Sequence, residues 1–227
     1  MPVIYVTPVD TPSIKRAWTN ALQSQPKRMR ILWGSICIAF ILSLMPLFFK
    51  SIQKRQGIIL HDGVLASLPS HDVSVPIFLI IWGMGLLILV RALYKPEIYI
   101  NYVWTLVFVS LARMLAITCV ALEPPVGLVN LVDPLTGVFY GNASVTRDLF
   151  FSGHTATLVL VFLCLEKRND KIIAFVAIIA VAILLMIQHI HYTIDILAAP
   201  LVVYIVFLLT RYFLKLDKLD KLSDNQS

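Results

Sequence analysis

Six stretches of apolar residues, each bounded by polar or basic ones, constrain this chain more than any other feature. They run over Ile31–Phe49, Val73–Val90, Ile98–Ala121, Leu149–Leu165, Ile172–Gln188 and Ile194–Phe213. A helix needs about 20 mainly apolar residues to cross a bilayer, and the fourth and fifth stretches lie near the lower limit. Hydrophobic residues make up 59% of the 227 and charged ones only 14%. A soluble domain carries charge on about a quarter of its residues, so that class is excluded, as is a disordered chain. The expected fold is all-α, a six-helix transmembrane bundle: a cytoplasmic N-terminal segment 1–30, a membrane domain 31–213 and a cytoplasmic tail 214–227. The first thirty residues are polar and basic with no cleavage pattern, so the first span is expected to be a retained helix. No internal repeat is evident.

The net charge of +6 does not point to nucleic acid, because the positive residues gather at the ends of the apolar runs. Of 19 Lys and Arg, fourteen fall on one side, in the N-terminus, the Arg91/Lys95 turn, the Lys167/Arg168/Lys171 turn and the tail from Arg211. Four fall on the other (Lys50, Lys54, Arg55 and Arg147), and Arg113 lies within a span. The positive-inside rule places both termini in the cytoplasm and turns the loops 50–72, 122–148 and 189–193 outward. A bacterial inner membrane suits this layout, as does a eukaryotic Golgi or plasma membrane. The loop 50–72 has room for a short interfacial helix. The loop 122–148 is broken by Pro124, Pro125, Pro134, Gly127, Gly137 and Gly141, and carries the sequon Asn142-Ala143-Ser144. The alternating charges of 215–222 read as a solvated helix end. Three cysteines, Cys37, Cys119 and Cys164, each sit in an apolar run and form neither a disulfide framework nor a metal cluster.

Ionisable residues inside spans are costly and usually functional. Here they fall at one level near the outer face. Arg113 lies deep in the third span and Glu123 ends it. Asp148, Ser152, Gly153, His154 and Thr155 open the fourth, and His191, Tyr192, Thr193 and Asp195 open the sixth. The spacing of His191 and Asp195 puts them on one face if both are helical. A carboxylate there can fix the imidazole tautomer and leave the other ring nitrogen nucleophilic. Ser152-Gly153 at a helix start would leave backbone N–H groups free for a phosphate. His154 in the same turn can pass a proton to a leaving oxygen, and Arg113 is a bidentate partner for phosphate oxygens. His189, two residues before His191, reads as an interfacial bystander, and His61 and His71 have no partner spacing.

The run Asp148-Leu149-Phe150-Phe151-Ser152-Gly153-His154-Thr155, followed by His191-Tyr192-Thr193-Ile194-Asp195, resembles the paired signatures of the sphingomyelin synthase-like branch of the type 2 phosphatidic acid phosphatase (PAP2) superfamily. The segment from Arg113 through Thr118 to Pro124-Pro125 is similar to that branch's Arg-and-Thr helix ending in prolines. Thr146-Arg147 stands where the branch has Cys-Gly, and the wider superfamily's Lys-x6-Arg-Pro signature and its Pro before Ser-Gly-His are not evident.

The resemblance implies a ping-pong transfer of a phospho-head group from a membrane phospholipid donor to a lipid alcohol acceptor. His191 would be the nucleophile, Asp195 its orienter and His154 the acid and base. Arg113 with Ser152, Gly153 and Thr155 would hold the phosphate. Asp148, and with it Glu123, would support the head group or the acid–base chemistry. The scheme needs no metal and no cofactor. Water as acceptor would make a PAP2-type lipid phosphatase, and a silent lipid-binding membrane protein is the non-enzymatic alternative. A transporter would show helices broken at the midplane, whereas Gly and Pro lie at the edges here apart from Gly83 and Gly85. Homo-oligomerisation is left open.

Overall fold

A computed structural model describes residues 13–131 and 145–215. Among these, eight helices and no strand occur: α1 Ile14–Gln23, α2 Gln25–Ile52, α3 Gly63–Ala66, α4 Ser74–Tyr94, α5 Pro96–Cys119, α6 Gly153–Cys164, α7 Arg168–Ile187 and α8 Thr193–Leu214. The sequon, Pro134, Gly137, Gly141 and the tail beyond 215 lie outside the described residues.

Five helices (α2, α4, α5, α7 and α8) are long and apolar enough to cross a membrane, which fits an integral multi-pass protein. Their ends follow local chemistry. Pro96 sits in the first turn of α5, where its missing N–H costs nothing. A residue with positive φ, Lys215, closes α8.

The expected fourth span, Leu149–Leu165, is corrected. Its helix is only the 12 residues of α6, about 18 Å long at 1.5 Å per residue. Ser152 starts it late by accepting the Thr155 N–H on its hydroxyl, and Leu165 ends it just before Glu166-Lys167. A helix of this length need not face lipid. α6 packs against α4, α5, α7 and α8, and Leu158, Leu160 and Val161 are wholly buried. It is the bundle's central post, with these four longer helices about it. The lipid-facing surface is carried by residues such as Leu79, Leu197 and Leu201, all exposed.

The polar, basic segment 1–30 contains a helix. Of its described residues, 14–23 form α1, an amphipathic helix on α2, α4 and α5. Trp18 Nε1 donates to the Leu93 carbonyl at 2.9 Å, and α2 already begins at Gln25. This end of the bundle is tied by charge pairs. Arg91 grips Asp170 through Nε and Nη2 at 2.6 and 2.9 Å, Lys95 meets Glu166 at 2.9 Å, and Lys27 donates to Glu97.

The opposite end carries the connections 53–73 and 188–192 and the described segments 120–131 and 145–152. A strap from the first crosses to the second: Ile58 N–H donates to the Ala121 carbonyl, and Glu123 N–H donates to the Ile58 carbonyl, both at 3.0 Å. Gly57 lies so close to the 121–122 backbone that a Cβ there would come within 2.6 Å of the Leu122 carbonyl carbon. His189 is corrected from bystander to buried hub. It adopts φ 54°, and its ring nitrogens lie 3.0 and 3.1 Å from the Val126 and Leu68 carbonyl oxygens.

Because α6 is buried and α8 is half lipid-facing, equal truncations should differ. Leu160→Ala is expected to cost about 2–5 kcal/mol, and Leu201→Ala well under about 1 kcal/mol. Thermal unfolding of the two variants in detergent micelles checks this.

Candidate active site

The site forms where α6 and α8 begin. The Ser152 N–H donates to the Asp195 carbonyl at 3.1 Å, joining the two helix starts. This brings the rings of His154 and His191 to a centroid separation of 6.1 Å at 63°.

His191 and Asp195 meet, but not along a helical face. α8 starts at Thr193, so His191 lies in the turn before it. The contact comes from a reciprocal cap. The Asp195 N–H donates to the Tyr192 carbonyl at 3.0 Å, and the Tyr192 N–H donates to Asp195 Oδ2 at 3.0 Å. This folds His191 back so that Nδ1 lies 3.5 Å from Asp195 Oδ2, an ion-pair distance longer than a good hydrogen bond. Both side chains are almost wholly buried. His191 Nδ1, Asp195 Oδ1, His154 Nδ1 and Thr155 Oγ1 are buried with no hydrogen-bond partner among the described residues.

Arg113 reaches the start of α6 from the last turns of α5. Its Nε donates to the Phe151 carbonyl at 2.9 Å, and its Nη2 to Asp148 Oδ1 at 2.8 Å. The guanidinium lies on Gly153: a Cβ there would meet Cζ, Nη1 and Nη2 at 2.5, 2.6 and 2.8 Å. Glycine is thus required by the arginine's approach. The first amides of α6 have no intrahelical acceptor, as at any helix start, and they lie beside this cation. Phe78 of α4 closes another side, its ring 6.3 Å from that of His154.

Of the residues expected at the site, the structure gathers Arg113, Asp148, Ser152, Gly153, His154, Thr155, His191 and Asp195. It does not bring the Glu123 carboxylate to the histidines. Glu123 Oε1 accepts the Gly57 N–H at 2.8 Å, and Oε2 accepts Arg147 Nε at 3.0 Å. The Gly57 amide and the Arg147 guanidinium hold its carboxyl below the usual range. Its carbonyl accepts the Tyr192 hydroxyl at 3.0 Å, so Glu123 belongs to the segment on which the strap lands.

Sequence reasoning missed Asp62. Its Oδ2 accepts the Thr193 N–H at 2.7 Å and its Oδ1 the Thr193 hydroxyl at 3.0 Å. Burial pushes this carboxyl up, but the hydrogen bonds from Thr193, Leu65 and Val64 outweigh it and leave the carboxyl below its ordinary value. Only the pairing of Asp with a following Gly63 hinted at a helix cap.

No cluster of His, Cys, Asp and Glu suited to a metal occurs among the described residues. Residues 147–212 match the family model described as PAP2 superfamily C-terminal. The matched segment holds α6, α7 and most of α8, and with them both histidines and Asp195. It supports the PAP2 superfamily and activity of the lipid phosphatase or phosphotransferase type. No curated protein matches the chain.

Two outcomes follow. Gly153→Ala should push Arg113 away from α6 and lower turnover by about 100-fold, the scale of a displacement near 1 Å, with Tm little changed. Asp62 and Glu123 both have depressed values in the folded state. Their contribution to stability is therefore present above the unfolded carboxylate range and lost as pH falls through the folded values. The fall of Tm between about pH 6 and pH 3 should be shallower in Asp62→Asn/Glu123→Gln than in wild type.

Proposed function

We propose that this protein is a membrane phosphotransferase of the sphingomyelin synthase-like type. It moves a phospho-head group from a glycerophospholipid to a lipid alcohol through a phosphohistidine. One observation carries the reading: two histidine rings 6.1 Å apart, a buried carboxylate 3.5 Å behind one of them, and a guanidinium lying across the first residue of α6.

Asp195 faces Nδ1 of His191, so Nε2 is the attacking nitrogen. Its lone pair forms the N–P bond while the P–O bond to diacylglycerol breaks. Protonated His154 gives its proton to the departing oxygen. In the second half, His154 takes the proton of the acceptor hydroxyl, whose oxygen attacks phosphorus, and the N–P bond breaks to restore His191. Arg113 and the leading amides of α6 hold the phosphoryl oxygens where charge grows, the electrostatic share of catalysis. Asp148 holds the guanidinium in place. In this reading its charge is answered by Arg113 rather than by a cationic head group.

The positive-charge count supports a reading with both termini in the cytoplasm and the site on the outward side. The match to residues 147–212 supports phosphatase and transferase chemistry alike. Burial favours transfer: His191 is 2% exposed, and a nucleophile sealed this way holds its phosphoryl adduct away from water.

The test is product analysis in proteoliposomes holding head-group-labelled phosphatidylcholine or phosphatidylethanolamine, with and without ceramide. Label should enter a sphingolipid only when ceramide is present. Asp195→Asn should lower the rate by about 10²–10⁴-fold, the range for loss of an orienting carboxylate. Release of water-soluble phosphate or phosphocholine without acceptor would assign the site to hydrolysis instead.

A further inference from the structure

The strap between α2 and α4 reaches the start of α8, beside the His191–Asp195 pair. Its carboxylate, Asp62, caps two helices at once. Oδ1 accepts the Val64 and Leu65 N–H groups of α3, each at 3.1 Å. The same carboxylate receives both donors of Thr193, the first residue of α8, at 2.7 and 3.0 Å. The strap is itself anchored. The Leu60 N–H donates to the Tyr192 hydroxyl at 3.2 Å, and Ile58 pairs with the backbone around Leu122.

Thr193 stands two residues after His191 and two before Asp195. His191 has no helical bonds of its own to fix it, because the helix begins after it. Asp195 Oδ2 already accepts the Tyr192 N–H, and the His191 contact is long at 3.5 Å. The geometry of the pair is thus set by where the Tyr192–Thr193 backbone sits. The donors that fix it from outside the helix are held by the strap.

We propose that Asp62 is a positioning residue for the phosphotransfer reaction: by clamping both donors of Thr193 it fixes the start of α8 and so aims His191. The inference rests on the functional reading above. Asp62 touches neither histidine. It acts through the backbone, and the negative charge it brings to the start of α8 is favourable there.

The full-length protein in proteoliposomes, with labelled phospholipid donor and ceramide, tests it with Asp62→Asn, Thr193→Val and their double variant. Asn keeps one acceptor oxygen and turns an amide N–H₂ toward a donor. Asp62→Asn should lower kcat on the order of 10–100-fold and leave KM for the donor within about twofold. Thr193→Val loses only the hydroxyl bond and should fall less. The double variant should be no slower than Asp62→Asn, since neighbours sharing one interaction are not additive. Thr193→Ser, which keeps both donors, should retain wild-type turnover. Multiplying effects, a change in KM alone, or Asp62→Asn within twofold of wild type would overturn the proposal.

Should Asp62→Asn not fold, Thr193→Val carries the test by the same split between kcat and KM. Ring ¹⁵N spectra of histidine-labelled protein separate the two ideas. The His191 signals should move in Asp62→Asn or Thr193→Val while those of His71 stay. Unmoved His191 signals overturn the positioning role. Moved signals in a protein whose wild type turns over no lipid leave Asp62 aiming His191 and sink the phosphotransfer reading instead.

Discussion

One hydrogen bond sets the arrangement of this site, the 3.1 Å bond from the Ser152 amide to the Asp195 carbonyl. It ties the start of a short buried helix to the start of a long one. Helix starts present unpaired amides, and inside an apolar bundle such groups must find acceptors. Here the amide of Ser152, the cap of α6, is satisfied by the backbone of α8, and the two histidines come to face each other as a result. The backbone and the charged groups around the histidines follow the same economy, while His154 Nδ1, Thr155 Oγ1, His191 Nδ1 and Asp195 Oδ1 have no hydrogen-bond partner among the described residues. Tyr192 and Asp195 satisfy one another, Arg113 satisfies the Phe151 carbonyl and Asp148, and Asp62 answers the first residue of α8.

The bundle makes this arrangement possible by placing α6 at its centre. Twelve residues are too few to cross a bilayer unaided, but a helix surrounded by longer ones has no such requirement. Its start meets the start of α8, and Phe78 of α4 lies beside it with its ring 6.3 Å from that of His154. Gly153 and Gly57 mark two places where a chain or a guanidinium approaches backbone too closely for a side chain. One admits Arg113 to the phosphate-binding turn of the proposed reaction. The other admits the strap to the segment that carries Glu123.

Features with a local or periodic signature were legible in the sequence. The spans α2, α4, α5, α7 and α8 follow from hydropathy and begin or end within a few residues of the expected limits, α2 being extended by six residues at its start. The Ser152-Gly153 pair at the start of α6 and the proximity of His191 to Asp195 also follow from short spacing. The route to that proximity did not, because a turn before a helix can bring residues i and i+4 together as a helical face does. Long-range pairings left no trace. Asp62 and Thr193 are 131 residues apart, and nothing near either announces the other. Glu123 read as a member of the site by its level in the membrane, yet Arg147 and Gly57 take its carboxylate. His189 read as idle, since the carbonyls that hold it come from two distant loops.

The central claim is that His191 carries phosphorus covalently. The most direct measurement is to mix the protein in liposomes with phospholipid labelled in its phosphate, without acceptor, quench in base, and map the label by mass spectrometry. The account predicts one acid-labile phosphoryl adduct on the peptide holding His191, discharged on addition of ceramide and lacking in His191→Ala. Turnover with no such adduct, or an adduct mapped to His154, would contradict it.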